Sequence, residues 1–166
     1  MEKKVSYPVA LLVALMALHS FGADWTRFRG PDAVGVASDA SPPESWNANE
    51  HIAWKTPLPG YGSSSPIVCG DLIFLTCYGG YGLDVDNPGT MEDLKHHLLC
   101  IGRSDGKVRW ERTVKALLPQ SEYRSYVLEH GYASATPTTD GSAIYAFFGR
   151  SGVHAFRLSG EPRWQA

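Results

Sequence analysis

Two stretches of the chain concentrate side chains able to do chemistry. Residues 80–97 read G-Y-G-L-D-V-D-N-P-G-T-M-E-D-L-K-H-H and carry Asp84, Asp86, Asn87, Glu92, Asp93, His96 and His97. Residues 115–132 carry Tyr123, Arg124, Tyr126, Glu129, His130 and Tyr132. Carboxylates and imidazoles at such density suggest cation binding, metal ligation or acid–base work, and each can be tested on spacing. Asp84-x-Asp86 opens like a calcium loop, but Pro88 stands at position five and Lys95 at position twelve, so the EF-hand pattern fails. Adjacent residues on a strand point to opposite faces, so at most one of His96 and His97 would reach a given metal, and solvated loop histidines are the simpler reading. Glu129-His130 could pair an acid with a base, but such neighbours in a surface linker ordinarily serve as polar covering. No Ser-His-Asp arrangement stands out. Gly79-Gly80-Tyr81-Gly82 opens an acidic loop with no helix behind it, which makes a weak phosphate cradle.

The elements that carry these stretches repeat. Trp54, Trp110 and Trp164 are spaced 56 and 54 residues apart. A fixed period in this range, filled with short strands and Gly turns, predicts an all-β β-propeller built from four-stranded antiparallel blades. S-S-P-I-V-C-G-D-L-I-F-L-T-C-Y and A-T-P-T-T-D-G-S-A-I-Y-A-F-F-G align without a gap, placing Pro66 on Pro137, Ile73 on Ile144 and Phe74 on Tyr145. Gly70-Asp71 and Asp140-Gly141 supply the tight turns, and β-branched and aromatic runs follow each. A second hairpin then turns at Gly106 or Gly160 and ends in Arg-Trp. The expected organisation is a signal peptide at 1–22, an extended segment at 23–51 and a partial propeller at 52–166. The propeller part comprises a closing strand at 52–56, one blade at 62–113 and a partial blade at 132–166.

The repeats differ by insertions. Pro66 to Trp110 spans 44 residues and Pro137 to Trp164 only 27, and the surplus falls around 80–97. Trp54 to Pro66 takes 12 residues but Trp110 to Pro137 takes 27, which adds 115–130. In an up-and-down blade, loops between strands two and three and linkers between blades leave on the same side. Both insertions are therefore expected on one face, with the Gly turns on the other, and insertions on one face of a repeat array often mark its binding face. The binding-face candidates are Asp84, Asp86, Glu92, His96, His97, Tyr123, Arg124, Tyr126, His130 and Tyr132. Trp54, Trp110 and Trp164, with Gly106 and Gly160, read as structural repeat positions, the tryptophans packing between blades.

The pattern S-x-P-x-x-x-G-x-I-(F/Y), then L-x-x-x-x-x-(D/S)-G-x-x-x-W, resembles the repeat of PQQ-like, or quinoprotein-alcohol-dehydrogenase-like, propellers, a superfamily that includes BamB-type envelope proteins. D-W-T-R-F-R-G-P at 24–31 and E-H-G-Y-A-S-A-T-P at 129–137 are similar to secreted members of that superfamily. The resemblance covers roughly residue 24 onward and implies a ring of seven or eight blades, of which about two are present. On that view the chain is an N-terminal fragment. Assembly of several copies into one ring is the alternative. The resemblance also implies a possible PQQ and Ca²⁺ site on the ring axis, although the vicinal cysteines of methanol-dehydrogenase-like quinoproteins are missing.

Lys3 and Lys4, the apolar run 9–18 and the small residues of 20–23 follow the order of a secretory signal peptide, with cleavage after Gly22 or Ala23. An uncleaved anchor is the competing reading. No Cys stands at the junction to take a lipid. Lys and Arg number 15 against 17 Asp and Glu, and loss of 1–22 removes two Lys and one Glu, leaving 13 against 16. No long basic run exists, so nucleic-acid binding is unsupported. Of the three cysteines, Cys69, Cys77 and Cys100, one must stay unpaired, and burial as small hydrophobes outweighs a Cys77–Cys100 bridge. Two functions remain. The first is an exported, non-catalytic propeller, periplasmic or secreted, that binds a protein or envelope polymer through the insertion face without a cofactor. The second is a PQQ-dependent oxidoreductase.

Overall fold

The computed structural model describes residues 23–38 and 40–166, so the expected signal segment, 1–22, lies outside the described residues. It contains eight strands in two four-stranded antiparallel sheets, each an up-and-down meander. The first sheet comprises β1 (Ile67–Cys69), β2 (Leu72–Gly79), β3 (Lys95–Gly102) and β4 (Val108–Lys115). The second comprises β5 (Thr138–Thr139), β6 (Ala143–Phe147), β7 (Val153–Arg157) and β8 (Pro162–Gln165). A short helix, α1 (Tyr126–His130), lies in the linker between them. The second repeat therefore has all four strands, and the ladder runs on past β8, where Val153 and Ala166 exchange backbone hydrogen bonds of 2.7 and 3.0 Å.

The turn residues act as their types predict. Gly70 and Gly141 adopt φ of +56° and +86°, a region in which a Cβ is strained. Asp140 caps its own turn: Oδ1 accepts the backbone N–H of Ser142 and Ala143, each at 2.8 Å. The Tyr145 hydroxyl donates to Oδ2, and with these bonds it holds the Asp140 carboxyl well below the usual carboxylate range.

Alternation along β2 and β3 gives the first sheet two apolar faces. On one face Phe74, Leu98 and Cys100 join Ile67 and pack with Ile144, Ala146, Phe148 and Phe156 of the second repeat, forming a core shared by the two sheets. On the other, Cys77, Leu99 and Ile101, with Ile73 and Leu75, pack against Trp54. Trp54 belongs to residues 52–56, expected as a strand. The segment has no strand pairing, because among the described residues no strand lies beside it. Its tryptophan is nonetheless docked: Nε1 donates to the Arg103 carbonyl at 2.9 Å, and the indole covers Gly106 so closely that a Cβ there would lie 2.5 Å from the ring.

Trp110 repeats this arrangement one sheet later. Its Nε1 donates to the Leu158 carbonyl at 2.9 Å, its ring covers Gly160, and Phe74 lies 5.8 Å away between centroids. The Arg112 guanidinium stands over the same ring and donates to the Gly160 carbonyl. Trp164 occupies the matching place on the second sheet, 5.9 Å from Tyr145, but is 49 % exposed. The equivalence of Phe74–Trp110 with Tyr145–Trp164 shows that the alignment of the two repeats holds in space.

The N-terminal segment ties the sheets on their first-strand side. Trp25 and Val68 exchange backbone hydrogen bonds of 2.9 and 2.8 Å, and the next carbonyl, of Thr26, accepts the N–H of Thr139 at 3.0 Å.

Candidate functional site

The two insertions fold onto one another. Tyr81 and Leu94 from the first and Ala116 from the second join Tyr78 and Ala133 in a buried cluster, with Met91, Leu118, Tyr123 and Tyr132 packed around it. The tyrosine rings meet edge-on or tilted, Tyr78 with Tyr132 at 5.2 Å and Tyr81 with Tyr123 at 6.4 Å between centroids. Tyr78 donates to the Gly82 carbonyl at 2.9 Å, and the Tyr81 hydroxyl accepts from the Tyr123 N–H at 3.2 Å. Burial pushes the Tyr78 phenol up to about 12 and raises Tyr132 as well, so both stay protonated as donors. Gly82 lets the chains approach, because a Cβ on it would sit 2.8 Å from the Tyr123 ring.

The candidate residues accordingly divide. Tyr123 and Tyr132 are half-buried members of this cluster. Asp84, Asp86, Glu92, Arg124, Tyr126 and His130 are exposed around it. Asp84 accepts the Asp86 and Asn87 backbone N–H groups at 2.9 and 3.4 Å, which makes it a turn-former, and Arg124 pairs with the exposed Glu122. No three His, Cys, Asp or Glu side chains converge on a cation position among the described residues.

His96 and His97 do not belong to the exposed face. β3 begins at Lys95, so both histidines are strand residues and alternation sends them to opposite sides. His96, 1 % exposed, stacks on Phe148 at 4.8 Å in the seam between the sheets, and its Nε2 lies 3.3 Å from the Ser151 hydroxyl. Burial lowers it to about 4; the nearby Tyr132 backbone opposes that slightly, while Nδ1 closes no hydrogen bond of its own. His97 is buried on the other face, with Nδ1 2.6 Å from Glu111 Oε1.

Cys77 stands directly across from His97 in the β2–β3 ladder, so Cys77, His97 and Glu111 superficially resemble a nucleophile, base and orienting acid. Burial pushes the thiol up to about 11 and no hydrogen bond joins it to the imidazole, so the thiolate such chemistry needs is not supplied. Cys100 pairs with Phe74 and faces the opposite side of the sheet from Cys77, which rules out the bridge between them, and all three cysteines are free.

Beside the tyrosine cluster lie two adjoining pockets that the sequence did not single out. One, of about 180 Å³, is lined by Gln120, Ser121, Tyr126, Tyr132, Ser134 and Phe147 among others. The second, of about 390 Å³, is lined by Phe28, Ser63, His130, Ser134 and Thr136. Only the Phe147-Phe148 pair offered a signal: two adjacent aromatics at a strand end send one side chain outward, here Phe147, the last residue of β6. The chain matches no family model and no curated protein. No helix among the described residues is long and apolar enough to cross a membrane.

Proposed function

We propose that the chain forms blades of an exported β-propeller that binds a protein or cell-envelope polymer, without catalysis, through the face built by its two insertions. One observation carries the reading. Stretches separated by a whole hairpin fold onto one another through the tyrosine cluster, on the side of the sheets away from the Gly turns. Leu83, Val85, Leu117, Tyr126 and Leu128 stand exposed on these insertions. A surface of aromatic and aliphatic side chains held on a rigid base is suited to recognition. Consecutive four-stranded meanders, the first with its Trp110 laid on the turn glycine of the second as Trp54 is laid on that of the first, support the propeller arrangement.

The test is affinity recovery from cell-envelope extract, scoring both protein and polysaccharide. The parent chain is compared with a variant carrying Leu83→Ser, Val85→Ser and Leu128→Ser, all exposed positions, with unfolding midpoints measured on both. Loss of recovery supports the reading. Equal recovery at equal stability overturns it.

A further inference from the structure

We propose that the two adjoining pockets beside α1 form a binding site for an uncharged polysaccharide, taking neighbouring sugar rings on either side of Ser134. This deepens the binding-face reading and rests on it.

The chemistry of the lining selects the ligand. The first pocket presents the Gln120 amide, the Ser121, Tyr126 and Ser134 hydroxyls and the exposed rings of Tyr126 and Phe147, which are 64 % and 52 % exposed. The second presents the Ser63, Ser134 and Thr136 hydroxyls, the His130 imidazole and the exposed Phe28 ring. No Asp, Glu, Lys or Arg lines either pocket. An ionic ligand would find no counter-charge there and would lose hydration without compensation. A ligand made of hydroxyls finds groups of its own kind, because Ser, Thr, Tyr and Gln each offer both a donor and an acceptor. Exposed aromatic faces are electron-rich and suit the C–H-bearing face of a sugar ring.

The polar groups are partly set in place. The Tyr132 hydroxyl donates to the Ser121 carbonyl at 2.7 Å, the Ser121 and Tyr126 hydroxyls are 3.0 Å apart, and Gln120 donates to the Leu117 carbonyl at 2.7 Å, which leaves its amide oxygen available. Ser134 makes no protein hydrogen bond among the described residues and borders both pockets, so one hydroxyl can serve two successive rings. At about 180 Å³ the first pocket falls below the ~300 Å³ lower end of ordinary small-molecule sites, a size for one compact ring and not an extended cofactor.

The experiment is retention of the full chain on immobilised hexasaccharides, using cello-, malto-, laminari- and manno-series as uncharged probes and oligogalacturonate as the anionic one. At least one uncharged series is expected to be retained, with oligogalacturonate passing through. Tyr126→Ala and the double variant Gln120→Ala/Ser134→Ala are each expected to weaken that retention at least tenfold with unchanged unfolding midpoints. No retention of any uncharged series, preference for oligogalacturonate, or retention indifferent to both variants would each overturn the proposal. If the sugars fail while envelope recovery still depends on Leu83, Val85 and Leu128, the sugar site falls and the binding face stands. If both fail, both readings fall.

Discussion

Trp110 is the most direct test of how the two repeats are joined. Replacing it with Ala deletes the ring that covers Gly160, removes its contact with Phe74, leaves the Leu158 carbonyl without its indole donor and strips the apolar surface from beneath Arg112. A large aromatic lost from a seam costs about 3–5 kcal/mol. The unpaired carbonyl contributes about 1 kcal/mol within that figure, so Trp110→Phe should recover most of the packing and lose only about 1–2 kcal/mol. Trp164→Ala is the internal control. It removes the same residue type from the same place in its sheet, but one that is half exposed and lies on no following turn, so its loss should stay near ~1 kcal/mol. Equilibrium urea unfolding of the three variants, followed by far-UV circular dichroism, supplies the numbers. A Trp110→Ala loss below about 1 kcal/mol, or a Trp164→Ala loss as large, would show that docking on the turn glycine does not hold the sheets together.

Three further outcomes are expected. His96 is neutral in the folded seam down to about pH 4, whereas an unfolded chain protonates it near pH 6.5, so stability should fall as pH drops through that window, by roughly 3 kcal/mol at ~1.4 kcal/mol per unit, and His96→Phe should flatten the fall in urea midpoints measured between pH 7 and 4. Gly106→Ala and Gly141→Ala both force a Cβ into positive φ at about 1 kcal/mol, but only at Gly106 does that Cβ strike the Trp54 ring, so thermal unfolding should show Gly106→Ala as clearly the more damaging. Native-state thiol labelling followed by mass spectrometry should modify Cys69 first, because burial raises the Cys77 and Cys100 thiols to about 11 and 12, and all three should react once the chain is unfolded without reductant.

The strands and turns were legible because each depends on local chemistry. Pro66 and Pro137, Gly70 and Gly141, and the alternation after them set the hairpins, and the faces of Phe74 and Tyr145 follow from a period of two. The shared side of the insertions followed from strand direction alone. Strand ends were less legible: the ladder Gly79↔Lys95 extends β3 over His96 and His97, because hydrogen-bond pairing decides where a polar run stops being loop. Tyr78, Tyr81 and Tyr132 gave no periodic signal, since residues far apart in sequence meet only after both insertions fold. The two pockets were invisible for the same reason, Phe147 reaching the first and Phe28 and Ser63 the second from outside either insertion.

The tryptophan clasp has a direction, and direction implies time. Trp54 closes on Gly106 and Trp110 on Gly160, so each indole precedes its seat by about fifty residues. For a chain made from its N-terminus at ~5–20 residues per second, Trp110 waits roughly 3–10 s before the turn that receives it exists. During that interval Phe74, Leu98 and Cys100 lack the Ile144, Phe148 and Phe156 side chains that cover them in the finished fold. The next repeat is thus the partner that each sheet must meet before any other does, and the delay is set by the repeat length.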